Sequence, residues 1–249
     1  MKIIDFAQLQ GSGKKNLFLI PFFFTFASAL CGLVSVIKTL DEQYMVAALL
    51  IVLAALFDLC DGRLARIFNV TSMIGMELDS LCDAVSFCFA PAVLLYSWSL
   101  FQLGNAGMLV LGLYLCCGLF RLARFNTLGS SNSASFSGLP TTVAAFFLAN
   151  IVIYEQWIST SLFASMLRPE RIAFLVTCVA LLMISSIKFP SAKHIKMRLA
   201  TSGTFLVLGI LALWSLVHGY PFFLVISVIY IVASFLFSIF KEITRSWWQ

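Results

Sequence analysis

Residues 58–83 read DLCDGRLARIFNVTSMIGMELDSLCD, and they join two long apolar runs, about 44–66 and about 75–98. Asp58 and Asp61 lie near the end of the first run; Asp79 and Asp83 lie near the start of the second. Residues three or four apart share one face of a helix. Asp58 and Asp61 therefore form one pair and Asp79 and Asp83 another, with Gly75 one turn before Asp79 on the same face. Glu77, two residues from Asp79, points elsewhere. The connector, about 67–74, is short, so the two helices are expected to be antiparallel neighbours. All four carboxylates then fall at the same end of the pair. Gly62, Ala65 and Gly75 are small, which predicts close approach of the two backbones.

An aspartate at the centre of a membrane helix costs about 2.5–3.5 kcal/mol, and less nearer the interface. Four such groups on converging faces also repel one another, which calls for a compensating cation. Carboxylate oxygens are hard ligands suited to Mg²⁺ or Mn²⁺. Four of them can hold two such ions and leave coordination positions for a phosphate. Arg66, five residues after Asp61, can add positive charge toward that phosphate. A purely structural set of helix-end carboxylates, paired with Arg63, Arg66 and water, would leave the convergence unexplained.

The remainder of the chain sets this motif in a membrane. Of 249 residues, 61% are hydrophobic and 11% charged, and mean hydropathy is +1.00. Soluble domains are closer to half apolar and a quarter charged, so lipid is the expected solvent for much of this surface. Eight spans are expected, at about 17–38, 44–66, 75–98, 105–124, 139–160, 171–187, 202–218 and 221–240. The last two are joined tightly at Gly219-Tyr220-Pro221, as in a helical hairpin. The first run is too long for a signal-peptide core.

With the N-terminus inside, thirteen of the sixteen Lys and Arg residues fall on the cytoplasmic side, leaving Lys38, Arg168 and Arg171 opposite. The positive-inside rule then places both termini in the cytoplasm and favours an even number of spans. The net charge of +5 sits at the ends of apolar runs rather than along a water-facing stripe, which argues against nucleic acid as a partner. Residues 127–138, TLGSSNSASFSG, read as a flexible cytoplasmic loop. Glu155 is expected to be solvated near an outer helix end. None of the seven cysteines forms a CxxC pair, and they read as membrane-packing residues.

The aspartate stretch resembles the signature of the CDP-alcohol phosphotransferase family, D-x2-D-G-x2-A-R-x8-G-x3-D-x3-D. The match runs through Asp58, Asp61, Gly62, Ala65, Arg66, Gly75, Asp79 and Asp83. The resemblance implies an all-α, polytopic bundle whose six-helix core covers residues 15–188. A cytoplasmic segment, 1–14, precedes it, and a helical hairpin with a cytoplasmic tail, 189–249, follows. It also implies a homodimer with its site open to the cytoplasm.

On the same resemblance, Asp58, Asp61 and Asp79 are ligands of two divalent cations, Mg²⁺ or Mn²⁺, and Asp83 is the general base and a further ligand. Gly62, Arg66 and Ser72 fall at CDP-contacting positions. Family members often open their first helix with Pro-Asn-x-x-Thr-x-x-Asn. Here Pro21 and Thr25 stand, and Thr25 is assigned to the CDP-lipid side, but Phe22 and Ser28 replace the asparagines.

Two further pieces, FRLARFN at 120–126 and FSGLP at 136–140, are similar to the membrane-embedded phosphatidylserine synthases of this family. That similarity implies CDP-diacylglycerol and L-serine as substrates, in a bacterial or archaeal cytoplasmic membrane. Arg121, Arg124 and Asn126 become candidates for holding serine, because a guanidinium fork suits a carboxylate. The alternatives are another acceptor in the same family, glycerol 3-phosphate or inositol phosphate, and an ion transporter. Against transport, no line of carboxylates continues through the other spans.

Overall fold

The computed structural model describes residues 15–68, 73–128, 135–155, 167–185 and 188–190. Helix α1 spans Lys15–Leu40 and α2 spans Tyr44–Ile67. The turn between them closes on Glu42, whose φ of 60° is left-handed. Glu42 N–H bonds the Thr39 carbonyl at 3.0 Å and Gln43 N–H bonds that of Lys38 at 2.9 Å. This is the paired bonding of a Schellman cap with glutamate where glycine is usual. An ion pair between Lys38 and Asp41, 3.1 Å, lies over it. The Ser35 hydroxyl reaches across to the Ala47 carbonyl at 2.8 Å and ties α1 to α2.

The next span is a composite. It runs as α3 (Met73–Asp83), a π-helical segment (Ala84–Phe89) and α4 (Ala90–Trp98). The widened turn follows the last aspartate directly, and such segments often occur at functional sites. Pro91 lies just inside α4 and has no N–H to offer the Phe87 carbonyl. The Tyr114 hydroxyl donates to that carbonyl instead, at 2.9 Å, from a fully buried position on the following helix. On the other side of the segment Ser86 donates to the Ser28 carbonyl at 2.9 Å. Gly32 allows this contact, since a Cβ there would meet the Cα of Ser86 at 2.8 Å.

A 3₁₀ turn (Leu100–Leu103) leads into α5, Asn105–Leu128. Then come strand β1 (Ser135–Ser137), α6 (Thr141–Glu155), α7 (Pro169–Ile184) and strand β2 (Lys188–Pro190). The strands pair antiparallel, Phe136 opposite Phe189. The end of the stretch expected to be a flexible loop is thus ordered as a short ribbon against the chain beyond α7. Apart from this ribbon the described structure is helical, as expected.

Burial is inside and apolar surface is outside. Alanines are buried on α2 (Ala47, Ala48, Ala54, Ala55) and on α6 (Ala144, Ala145), and these helices pack together. Small side chains let membrane helices approach closely, where dispersion and interhelical bonds hold them. Phe23, Leu30 and Leu40 on α1 and Leu109 on α5 stand exposed, as a lipid-facing surface would. Among the described residues four helices are long and apolar enough to cross a membrane: Ile20–Leu40, Tyr44–Ala65, Ile74–Trp98 and Asn105–Thr127. The described part of the expected fifth span is an apolar helix, Thr141–Glu155. The sixth corresponds to α7, and the expected seventh and eighth lie outside the described residues. Glu155 differs from expectation: it accepts a hydrogen bond from the Trp98 indole and so joins the ends of α6 and α4.

Candidate metal centre

Asp58 and Asp61 lie in the C-terminal part of α2, while Asp79 and Asp83 lie in α3. One carboxylate oxygen from each of Asp58, Asp61 and Asp79 lies within 4.8 Å of the others. The i, i+3 spacing on α2 presents two of them together, and α3 brings the third to the same point. Asp83 adjoins Asp58 and stands within electrostatic reach of Asp61, Asp79 and Arg121.

The backbones do not meet in the way the small residues suggested. α3 packs mainly on α1 and the π-helical segment, while α2 meets that segment and α4. Beyond its chain neighbours and its own helix backbone, no atom among the described residues lies within 4 Å of where a Cβ on Gly62 would sit. Gly62 therefore leaves open space beside the carboxylates rather than a helix contact. A Cβ there would project into that space.

These residues fit divalent cations. Asp61 is 4% exposed, and its Oδ2 has no hydrogen-bond partner among the described residues. A buried, unsatisfied carboxylate oxygen is costly and rare. Three hard oxygen donors around one point suit a hard divalent cation, whose remaining positions other oxygens would fill. Thr25 lies beside Asp61, with its hydroxyl donated to the Pro21 carbonyl at 3.1 Å.

The three residues assigned to serine go to three different helices. Arg121 Nη1 donates to the Thr141 hydroxyl on α6 at 3.1 Å and lies near Asp83. Arg124 donates Nη1 to the Ile184 carbonyl at 3.0 Å and Nη2 to that of Ser185 at 3.5 Å, at the end of α7. Asn126 binds α3: its amide N–H donates to Glu77 at 3.0 Å, and its oxygen accepts from Ser80 at 2.9 Å. Only Arg121 of the three thus stands against the carboxylates. Arg66 occupies the last turn of α2, and Ser72 lies outside the described residues.

Sequence reasoning missed Thr142, whose hydroxyl donates to Asp58 Oδ2 at 3.2 Å. Its only signal was its place two residues after FSGLP, at the start of a helix.

An apolar helical bundle in which three aspartates converge, Asp61 buried and Asp58 and Asp79 half-buried, defines a class: integral membrane proteins with a carboxylate site fit for metal. Residues 18–168 match the model of the CDP-alcohol phosphatidyltransferase family, and the chain belongs to that family. Among similar curated proteins, the CDP-diacylglycerol–serine O-phosphatidyltransferase of Helicobacter pylori is 33% identical over 184 residues, covering 74% of this chain and 76% of that protein. The protein of the same name from Bacillus subtilis is 33% identical over 174 residues, covering 70% and 91%. The archaetidylserine synthase of Methanothermobacter thermautotrophicus is 34% identical over 173 residues, covering 69% of each chain.

Proposed function

We propose that the protein transfers the phosphatidyl group of CDP-diacylglycerol to L-serine, giving phosphatidylserine and CMP. The observation that carries the transfer chemistry is the convergence of Asp58, Asp61 and Asp79 within 4.8 Å. The acceptor is supported by the relatives, whose names differ in the lipid and agree on serine.

Asp58, Asp61 and Asp79 hold two divalent cations, Mg²⁺ or Mn²⁺, with Asp83 as a further ligand. Such ions, when bound, clamp a pyrophosphate and neutralise the charge that develops on the leaving group. Asp83 accepts the proton of the serine hydroxyl. The serine oxygen forms a bond to the phosphorus that carries diacylglycerol, and the bond from that phosphorus to the pyrophosphate bridging oxygen breaks as CMP departs. Positioning and fixed charge supply most of the catalysis in transfers of this kind.

Gly62 admits the CDP moiety because it leaves open space, and Arg66, Ser72 and Thr25 complete that side. Arg121 takes the serine carboxylate, since it adjoins Asp83 and its guanidinium can bind a carboxylate while it stays bonded to Thr141. Arg124 and Asn126 serve serine indirectly, by fastening α5 to α7 and α3. The site opens to the cytoplasm of a bacterial or archaeal cell, both termini are cytoplasmic, and the protein works as a homodimer.

An acceptor panel tests this reading. Purified protein with Mn²⁺ or Mg²⁺ and CDP-diacylglycerol should release CMP with serine. Release with glycerol 3-phosphate or inositol phosphate, and none with serine, would overturn the acceptor.

A further inference from the structure

The site has a polar contact that no metal ligand or substrate residue accounts for. α6 begins Thr141-Thr142, and both hydroxyls bond side chains of other helices, Thr141 accepting from Arg121 and Thr142 donating to Asp58. Thr39 and Thr177 donate to the carbonyl four residues earlier, at 2.9 and 2.8 Å, the usual local use of a helical threonine. Thr142 instead donates across to Asp58 Oδ2 on α2.

The start of α6 is itself held from outside. Leu139 N–H bonds the Leu182 carbonyl at 3.0 Å, and β1 pairs with β2 beyond the end of α7. Between these contacts Gly138 has φ +83°, and a Cβ there would meet the Met183 carbonyl oxygen at 2.2 Å. Only glycine lets the chain pass so close to α7. The ribbon and α7 thereby set where Thr142 stands.

We propose that Thr142 is a positioning residue for the metal centre. Its hydroxyl fixes the rotamer of Asp58 by occupying one carboxylate oxygen, so that the carboxylate meets its cation without first being ordered. Partners of this kind orient metal ligands, and losing one typically costs 10–100-fold in metal affinity. The inference rests on the metal-ligand role of Asp58 proposed above.

The test reads Mn²⁺ binding directly. Free Mn²⁺ is followed by electron paramagnetic resonance, with protein and CDP-diacylglycerol present and serine withheld, so no turnover occurs. Thr142→Val keeps the shape and removes the hydroxyl. It should raise the Mn²⁺ dissociation constant about tenfold, while Thr142→Ser stays near wild type. With Asp58→Asn in place, adding Thr142→Val should change little, because the pair acts as one unit. If Thr142→Val binds Mn²⁺ like wild type while Asp58→Asn does not, the positioning role is overturned and the metal role stands. If Asp58→Asn also binds like wild type, the metal reading itself fails. If Thr142→Val does not fold, Thr142→Ser decides alone: it must retain affinity, and a tenfold loss there would show that shape rather than the hydroxyl matters.

Discussion

In the proposed mechanism Asp83 and Arg121 divide the chemistry at one point in the site. Asp83 adjoins Asp58, and Arg121 faces it from α5. Replacing Asp83 with Asn removes the proposed proton acceptor while keeping the side chain's size. Turnover should fall by about 10²–10⁴-fold, with CDP-diacylglycerol binding largely kept; a CMP-release assay and a lipid-binding titration separate the two. Unchanged turnover would remove Asp83 as the base. Arg121→Lys keeps charge and loses the fork, which is not conservative at a bidentate site. The KM for serine should rise about tenfold, one charge-assisted hydrogen bond's worth, with the KM for CDP-diacylglycerol little changed. The aspartates were legible in sequence because spacings of three and four dictate shared helix faces. Arg124 and Thr142 were not. The partners of Arg124 are backbone carbonyls of Ile184 and Ser185, and a carbonyl carries no sequence signature. Thr142 is one threonine among many, and only the packing of α6 on α2 gives it a carboxylate.

At the scale of elements, the composite span α3–π–α4 is where local chemistry and site geometry meet. The sequence shows one continuous apolar run there, and periodicity alone cannot reveal a widened turn. Pro91 was the available clue, but a membrane helix can absorb a proline when a neighbour satisfies the freed carbonyl. Tyr114 is that neighbour. Tyr114→Phe removes only the hydroxyl and leaves the Phe87 carbonyl without that donor. The cost should be about 1 kcal/mol, read as a lower unfolding midpoint in detergent, with activity largely retained at low temperature. A midpoint equal to wild type would mean another group satisfies the carbonyl. The ribbon of β1 and β2 was likewise illegible: its two strands lie some fifty residues apart and are three residues each. A Ser- and Gly-rich stretch with no alternation reads as a loop, and pairing with a distant segment overrides that reading.

At the scale of the whole molecule, sidedness links charge to mechanism. Arg63 lies in the last turns of α2, and Arg121 and Arg124 in the last turns of α5; Arg121 lies near Asp83. Lys38 lies at the opposite end of α1. Basic residues are retained in the cytoplasm during insertion, so the proposed topology puts the aspartates on the cytoplasmic face. Serine is a zwitterion and does not cross a bilayer unaided, whereas CDP-diacylglycerol is already held in the leaflet. If serine is the acceptor, as proposed, it is taken from whichever compartment the aspartates face. Sealed vesicles made with CDP-diacylglycerol in their lipid test this. Vesicles with the cytoplasmic face outward, given serine and Mn²⁺ outside, should form phosphatidylserine at once. Vesicles of the opposite orientation should form it only after permeabilisation, and chelating the outer metal should stop the first preparation alone. Equal rates in both intact preparations would place the site on the other face and would break the link between basic charge and the metal centre.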